Sequence, residues 1–319
     1  MYYALKKIKI ILSDSQNVYK NLALEEYLLM QSNQEFLLFY INTDAVVIGK
    51  HQNPWKEVDL AKQKDGKTKY KVARRLSGGG TVFHDLGNLN FSFIRNKQSD
   101  FVNFREHIIP ISEALKSLGI DNRITKRNDL FIKDKKISGN AEHVNSAKKR
   151  VLHHGTLLYD SNLVKLNLSI KPTNDFQIKT HAVDSVRSAV MNIRDVKDYG
   201  DTSSFYSLLI SRLEEFFETA SQTIRVESHQ DVAELVESKF NTWQWNYGHT
   251  PQFSFKNAYG ETITLRKGQV KSIESEVLSD EQKNEFIGLF CSQDAYSNIE
   301  QSEMSANKVE LIKRVSLYD

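Results

Sequence analysis

The run RRLSGGGTVFHD, residues 74–85, is the stretch of this 319-residue sequence that decides the fold. Three successive glycines, Gly78 to Gly80, permit backbone conformations that other residues avoid, and they let a ligand approach main-chain N–H groups closely. Ser77 adds a hydroxyl, and either Arg74 or Arg75 can hold a phosphate or carboxylate through paired hydrogen bonds. The run is neither a Walker loop nor a GxGxxG dinucleotide motif. It predicts an anion-binding loop, with a flexible turn beside two solvated arginines as the alternative.

Apolar runs on both sides of this loop predict a β-sheet. Residues 36–41 and 45–48 are strand-sized and are separated by turn residues. Leu89, Phe91 and Phe93 alternate with polar residues, which predicts a strand with one buried face.

Helical spacing of apolar residues predicts three helices that pack on this sheet. The first spans residues 18–31, and the second spans 104–118 with a kink or restart expected at Pro110. Ser203 or Ser204 can cap the third helix.

The sequence NTWQWNYGHTPQ, residues 241–252, is aromatic and rich in turn residues, which favours a domain boundary near Gly248. We therefore predict a catalytic domain at 1–248 and a small α+β accessory domain at 249–319.

Composition excludes several classes of protein. The hydrophobic fraction of 40% and the charged fraction of 26% are typical of a folded globular protein, and no run approaches the ~18 apolar residues of a membrane helix. A net charge of +3 gives no indication of nucleic acid binding. The single cysteine, Cys291, excludes an internal disulfide and a multi-cysteine zinc site, so we expect a soluble cytoplasmic protein.

Two further runs carry chemistry. RNDLFIKDKKISGNA, residues 127–141, predicts a hairpin with its turn at Asp134 and Lys135, which would fix Lys136 on a strand; an ordinary basic hairpin is the alternative. HHGTLL, residues 153–158, invites a metal-binding interpretation. No carboxylate or cysteine lies at ligand spacing, so the pattern favours structural or ligand-contacting histidines.

In this order and spacing, the three runs resemble lipoate–protein ligases. KHQNPWKEV at 50–58 and VDSVRSAVMNI at 183–193 are similar to further segments of that family, and WQWNYGHTPQF is similar to its junction with the accessory domain. The resemblance covers nearly the whole chain. It implies an α/β (α+β) fold like that of biotin ligases and class II aminoacyl-tRNA synthetase cores, built around a bent mixed sheet.

The resemblance also implies site residues, with Lys136 as the catalytic one. Those implied for ATP are Arg75, Gly80, Thr81, Val82, Phe83 and Lys136. Those implied for lipoate are Arg75, Gly79, Lys136, His154 and Gly155. Further candidates are Ser77, His84, Asn128 and Asp129. Guesses for an apolar slot around the acyl chain are Val72, Leu76, Val82 and Leu157.

The implied reaction uses ATP with Mg²⁺, without a metal cluster supplied by the protein. Lipoate becomes lipoyl-AMP with release of pyrophosphate, and the lipoyl group then passes to a lysine of a carrier protein. The carrier is a 2-oxoacid dehydrogenase lipoyl domain or a glycine-cleavage H protein, and the choice between lipoate and octanoate stays open. We expect a monomer.

Three alternatives have distinct signatures. An octanoyltransferase of the same superfamily uses a cysteine nucleophile, but Cys291 lies far in sequence from every motif. A biotin ligase would carry a different arginine- and glycine-rich loop. A non-catalytic nucleotide- or acyl-binding homologue would bind its ligands without releasing pyrophosphate.

Overall fold

The computed structural model describes residues 8–31, 34–60, 70–97, 104–170, 177–291 and 306–316. Its largest sheet is mixed. In spatial order its strands are β10 (Asn140–Asn145), β11 (Arg150–Leu158), β6 (Asn88–Asn96), β2 (Glu35–Ile41), β1 (Ile8–Ser13) and β13 (Ser221–Ile224). Strand β1 pairs in parallel with both β2 and β13, whereas the other pairs are antiparallel.

Two three-stranded sheets stand beside the large one and carry the sequence motifs. The first consists of β4 (Lys71–Arg74), β3 (Ala45–Ile48) and β5 (Val82–His84). The second consists of β7 (Arg123–Ile124), β8 (Leu130–Ile132) and β9 (Lys135–Ser138). The glycine run therefore connects β4 to β5.

Helices cover both faces of the large sheet. In chain order, the α-helices of the described residues are α1 (Val18–Met30), α2 (Pro54–Glu57), α3 (Phe104–Ser117), α4 (Leu163–Ser169), α5 (Thr202–Phe217), α6 (Gln230–Leu235), α7 (Asp280–Phe286) and α8 (Ala306–Val315), of which α7 and α8 pack with the C-terminal region instead. Apolar residues of α3 and α5 pack with Leu37, Phe39 and Phe91 on one face. Helix α1 packs with Leu38 and Tyr40 on the other face, as the alternation along β2 requires.

A fourth sheet contains most of the C-terminal strands. Its strands are β12 (Lys179–Thr180), β14 (Phe253–Lys256), β15 (Thr262–Arg266) and β16 (Gln269–Glu274). Strand β12 lies far upstream of Gly248, so the sheet takes a strand from each side of the predicted boundary. The division into 1–248 and 249–319 stays a prediction.

The elements agree with most sequence expectations and correct three of them. Helix α3 runs from Phe104 to Ser117 through Pro110, so the chain does not restart there, and a kink at this proline stays a prediction. Asp201, rather than Ser203 or Ser204, caps α5, since its carboxylate accepts from the Ser204 N–H at 2.8 Å.

The third correction concerns the basic hairpin. Strand β9 ends at Ser138, and Gly139 separates it from β10, which pairs with β11 in the large sheet. The turn of the hairpin lies at Lys133 and Asp134, where Lys133 adopts a positive φ of 52°.

No helix among the described residues is long and apolar enough to span a bilayer.

Candidate functional site

The glycine loop between β4 and β5 lies tightly against the segment that follows β3. Gly79 has φ +85°, a conformation that favours glycine. A Cβ atom on Gly49 would lie 2.2 Å from the Gly79 carbonyl oxygen, so the two backbones are closer than any side chain would allow. Both glycines are therefore required by the shape of the loop.

Arg75 stabilises this loop through hydrogen bonds. Its side chain is buried and donates to the Ser77 hydroxyl at 2.9 Å and to the carbonyls of Gly78 and Gly80 at 2.6 and 2.7 Å. Burial lowers the pKa of Arg75 to about 10, which leaves it protonated at neutral pH. Arg75 thus fixes the conformation of the loop and contributes positive charge to the cavity that it lines.

Arg74 points the opposite way, because successive residues of a strand face opposite sides. It is fully buried, and the structure does not place it in either cavity. Its guanidinium donates to five main-chain carbonyls and one hydroxyl, those of Gly49, Lys50, Gln52, Trp245, Asn246 and Thr250. Burial lowers its pKa to about 9. The sequence analysis named Arg74 and Arg75 as residues that could bind an anion. In the structure, Arg74 instead stabilises the fold.

Lys136 enters the site from β9. Its ammonium lies 2.9 Å from a carboxylate oxygen of Asp129, and its side chain is 23% exposed. The Lys136 N–H donates to the Ala189 carbonyl, and the Lys136 carbonyl accepts from the Met191 N–H. These two hydrogen bonds attach β9 to the segment 189–191. A Cβ atom on Gly139 would lie 3.0 Å from the Lys136 Nζ, so this glycine leaves room for the lysine.

Two adjoining cavities meet at Lys136. The larger has a volume of about 330 Å³ and reaches inward to Tyr40 and His154. The smaller has a volume of about 190 Å³ and ends among apolar residues that include Leu166 and Ile170. The residues that line both are Thr81, Val82, Lys136, Gly139, Thr156, Ser185, Val186 and Ser188.

The inner end of the larger cavity contains a buried polar chain. Glu25, 1% exposed, accepts from the Tyr40 and Ser92 hydroxyls at 2.9 and 2.5 Å, and it lies 3.1 Å from His154 Nδ1. His154 Nε2 lies 2.6 Å from the Ser77 hydroxyl. Burial raises the pKa of Glu25, but its contacts with His154 and the two hydroxyls outweigh burial and lower it overall. Glu25 is therefore ionised at neutral pH.

A segment without regular structure, residues 183–188, crosses over the glycine loop. The Ser185 hydroxyl donates to Glu57 at 2.5 Å and accepts from the Thr81 N–H at 2.8 Å. The Thr81 hydroxyl in turn donates to Gln52 at 2.9 Å. These contacts connect the glycine loop with the segments 50–58 and 183–193, which the sequence analysis identified separately.

The structure brings most of the predicted site residues together. Those that line the larger cavity are Arg75, Gly79, Gly80, Thr81, Val82, His84, Asp129, Lys136, His154 and Gly155. Phe83 lines the smaller cavity. Ser77 lies behind the surface of the cavity, where its hydroxyl is hydrogen-bonded to Arg75 and His154. Burial and the neighbouring Arg75 lower the pKa of His84 to about 3, which keeps it neutral.

Four of the residues that were expected to contact a ligand do not line either cavity. Asn128 lies in a turn with φ 63°, and its carbonyl accepts from Asn140 at 2.9 Å rather than facing the ligand space. Val72, Leu76 and Leu157 lie in hydrophobic cores, because their strands and the loop turn them away from the cavity. Of the apolar guesses, only Val82 lines the cavity.

Sequence reasoning missed Glu25 and Ser185 as site residues. Glu25 lies on the apolar side of α1, and a carboxylate among buried positions was a signal that could have identified it. Ser185 lies in the segment 183–193, which the family resemblance singled out without assigning a role.

Known proteins are similar to this chain in sequence and in fold. The family model for the lipoyl protein ligase A/B catalytic domain matches residues 17–214. The chain belongs to this family. Lipoate–protein ligase 1 of Staphylococcus aureus is 37% identical over 240 residues, covering 74% of this chain and 72% of that protein.

Solved structures of family members confirm the predicted ligase fold. A lipoate-protein ligase A bound with ATP is 29% identical, with a TM-score of 0.63, over 76% of this chain and 100% of that one. The archaeal bipartite lipoate protein ligase of Thermoplasma acidophilum, analysed with its E2 lipoyl domain, is also 29% identical with a TM-score of 0.63. It matches 76% of this chain and 97% of its own.

The cavities of this family member offer few ligands of their own for Mg²⁺. The carboxylates that line the larger cavity are Asp129 and Asp184, and each is paired with a lysine, at 2.9 and 2.6 Å. Among the described residues, no three metal-ligating side chains converge within the cavities. This donor set suits a hard cation that arrives with nucleotide phosphates and takes at most one or two protein oxygens.

Proposed function

We propose that this chain is an ATP-dependent lipoate–protein ligase, which forms lipoyl-AMP and transfers the lipoyl group to a lysine of a carrier protein. The observation that carries this proposal is the position of Lys136 at the junction of the two cavities. One cavity can hold an acyl chain and the other a nucleotide, with their reacting ends at one ammonium group.

The larger cavity is suited to the acyl substrate. Leu22, Val47 and Val82 supply apolar wall, and Tyr40 and His154 close its inner end. A carboxylate at the outer end of such a ligand would lie near Lys136 and the glycine loop. The smaller cavity, with Phe83 and Ile170, provides the apolar walls that a purine base requires.

Formation of the adenylate requires two anions to approach one another. A carboxylate oxygen of lipoate attacks the α-phosphate of ATP, the bond to the β-phosphate oxygen breaks, and pyrophosphate leaves. Positive charge from Lys136 and N–H donors of the glycine loop stabilise the charge that accumulates on the phosphate oxygens. Mg²⁺, when bound with ATP, would neutralise further charge on the phosphates.

Transfer requires the carrier lysine to attack as a neutral amine, although its reference pKa is about 10.4. The amine adds to the acyl carbon, AMP leaves, and the amine loses a proton. Asp129, at 2.9 Å from Lys136, is our candidate for the carboxylate that orients that amine near the junction.

A basic surface beside the cavity suits an acidic carrier. The exposed cationic residues of the β7–β9 sheet and its turns are Arg123, Lys126, Arg127, Lys133 and Lys135. Arg127 also lines the larger cavity. Electrostatic attraction of this kind accelerates association with a partner of opposite charge. An E2 lipoyl domain is our first choice of acceptor, with the H protein second, and the cytoplasm is the compartment that we propose.

The reaction is tested with purified protein, ATP, Mg²⁺ and lipoate. We expect pyrophosphate release that depends on lipoate, and addition of one lipoyl group to an E2 lipoyl domain, read by intact mass. Parallel assays with octanoate and with an H protein identify the preferred acid and carrier. Binding of ATP and lipoate without pyrophosphate release would instead favour the non-catalytic homologue.

Replacing Cys291 separates ligation from the octanoyltransferase alternative. Cys291 is 1% exposed and lies in a core with Phe286 and Ile273, away from both cavities. We therefore expect Cys291→Ala to retain ligation within about twofold, since it removes only a small buried side chain. Intact mass of the enzyme tests for an acyl-cysteine. Loss of transfer together with an acylated Cys291 in the parent protein would contradict the ATP-dependent reaction.

A further inference from the structure

Three potential metal ligands converge behind the large sheet, on the face opposite the cavities. His107 lies on α3, Glu142 on β10 and His153 on β11. Glu142 and His153 are direct partners in the strand register. His154, the next residue, faces the larger cavity, and the alternation of a strand places His153 on the other side.

The three side chains lie within coordination range of one another. His153 Nδ1 is 3.2 Å and His107 Nδ1 is 3.6 Å from the same oxygen of Glu142. The two imidazole rings are stacked, with centroids 4.9 Å apart and planes at 25°. One ligand atom from each residue can be chosen so that all lie within 4.8 Å of one another.

The cluster is buried and incompletely satisfied. The side chains are 0–3% exposed, and Phe104 covers the His153 ring edge-on at 5.5 Å. The polar atoms without a hydrogen-bond partner are His107 Nδ1, His107 Nε2, Glu142 Oε1 and His153 Nε2. Unpartnered buried polar atoms are costly, so four in one place favour a bound water or ion that satisfies them.

We propose that His107, Glu142 and His153 form a binding site for one divalent first-row transition-metal cation, with Zn²⁺ as its best match. Two imidazoles and one carboxylate are donors that suit Zn²⁺, and a water can supply a fourth ligand. Glu106 Oε1 lies 3.7 Å from His107 Nε2, and Glu106 does not belong to the group of three.

The donor set suits a divalent cation. The carboxylate of Glu142 offsets part of its charge, and each imidazole can bind it through a ring lone pair.

The site would join α3 to β10 and β11, the strands that carry Asn140, His154 and Gly155 into the larger cavity. Its role is structural, and it is independent of the Mg²⁺ that accompanies ATP. This site could not be predicted from the sequence, because no carboxylate or cysteine lies at ligand spacing from His153. The fold supplies Glu142 and His107 from other elements.

Metal binding is tested on full-length protein stripped with a chelator, without ATP or lipoate. Titration with Zn²⁺ against a chromophoric chelator is expected to give one tight site per chain. Co²⁺ is expected to give visible d–d absorption of a site with nitrogen and oxygen ligands, a signature that needs no variant. Zn²⁺ should also raise the melting temperature.

Matched variants assign the site. His107→Gln and the isosteric Glu142→Gln should weaken Zn²⁺ binding at least ~10-fold and remove the Co²⁺ bands. His143→Gln, adjacent to Glu142 on the same strand but on the opposite face, should leave both unchanged. Circular dichroism verifies that each variant is folded.

The proposal is overturned if the stripped protein binds no Zn²⁺ and gives no Co²⁺ bands, since the cluster is then only a buried hydrogen-bonded pair. It is equally overturned if folded His107→Gln and Glu142→Gln bind Zn²⁺ as tightly as the parent protein does.

Discussion

Replacing Lys136 with alanine is expected to slow lipoate-dependent pyrophosphate release by at least ~10²-fold, because it removes the positive charge at the junction of the two cavities. The side chain is partly exposed, and its ion pair among the described residues is with Asp129, so its loss should leave the fold intact. Rates are measured under saturating ATP, with the melting temperature as the check on folding.

Lys135 provides the matched control, since it precedes Lys136 on β9 and its side chain is exposed on the opposite face. Lys135→Ala removes the same charge from the same strand and should release pyrophosphate at close to the parent rate. If Lys136→Ala retained the parent rate, or if both variants were equally impaired, Lys136 would have no specific part in the chemistry.

Replacing Arg74 with methionine is expected to lower the free energy of unfolding by roughly 3 kcal/mol or more, because it leaves several buried carbonyls without a donor. Arg74→Lys should recover only part of this loss, since an ammonium has three donors and cannot reproduce the planar fork. Urea denaturation monitored by circular dichroism gives the values.

Arg225→Met is the control for the loss of one positive charge, because Arg225 is exposed. We expect it to change stability by less than about 0.5 kcal/mol. An Arg74→Met protein as stable as the Arg225→Met protein would mean that the carbonyls find other donors and that the guanidinium is dispensable.

Local sequence predicted the parts of the site that depend on backbone and strand position. The glycine loop needs residues with little steric restriction, and Lys136 needs a strand to fix it, so both could be read from short runs. Arg74 and Arg75 face opposite sides because the chain is extended there. This difference became clear only when the structure showed that β4 ends at Arg74.

Contacts between distant segments could not be predicted in the same way. Glu25 reaches His154 across the core between α1 and β11, and Glu57 reaches Ser185 from α2. Their roles follow from packing, since neither carboxylate has a partner close to it in sequence. Similarly, the second strand of the hairpin was predicted to run to Ala141, but it ends at Ser138, because the pairing of β10 with β11 prevails over local continuity.

Strand β12 has a consequence for how such proteins can be recombined. Lys179 and Thr180 pair with Ser254 and Phe253, and only a few residues separate β12 from the segment 183–188 above the glycine loop. The C-terminal sheet thus includes a piece of the upstream chain. An exchange of tails between two family members at Gly248 would join strands that did not evolve as partners. A chimera that also exchanges residues 177–190 keeps each edge strand with its own sheet.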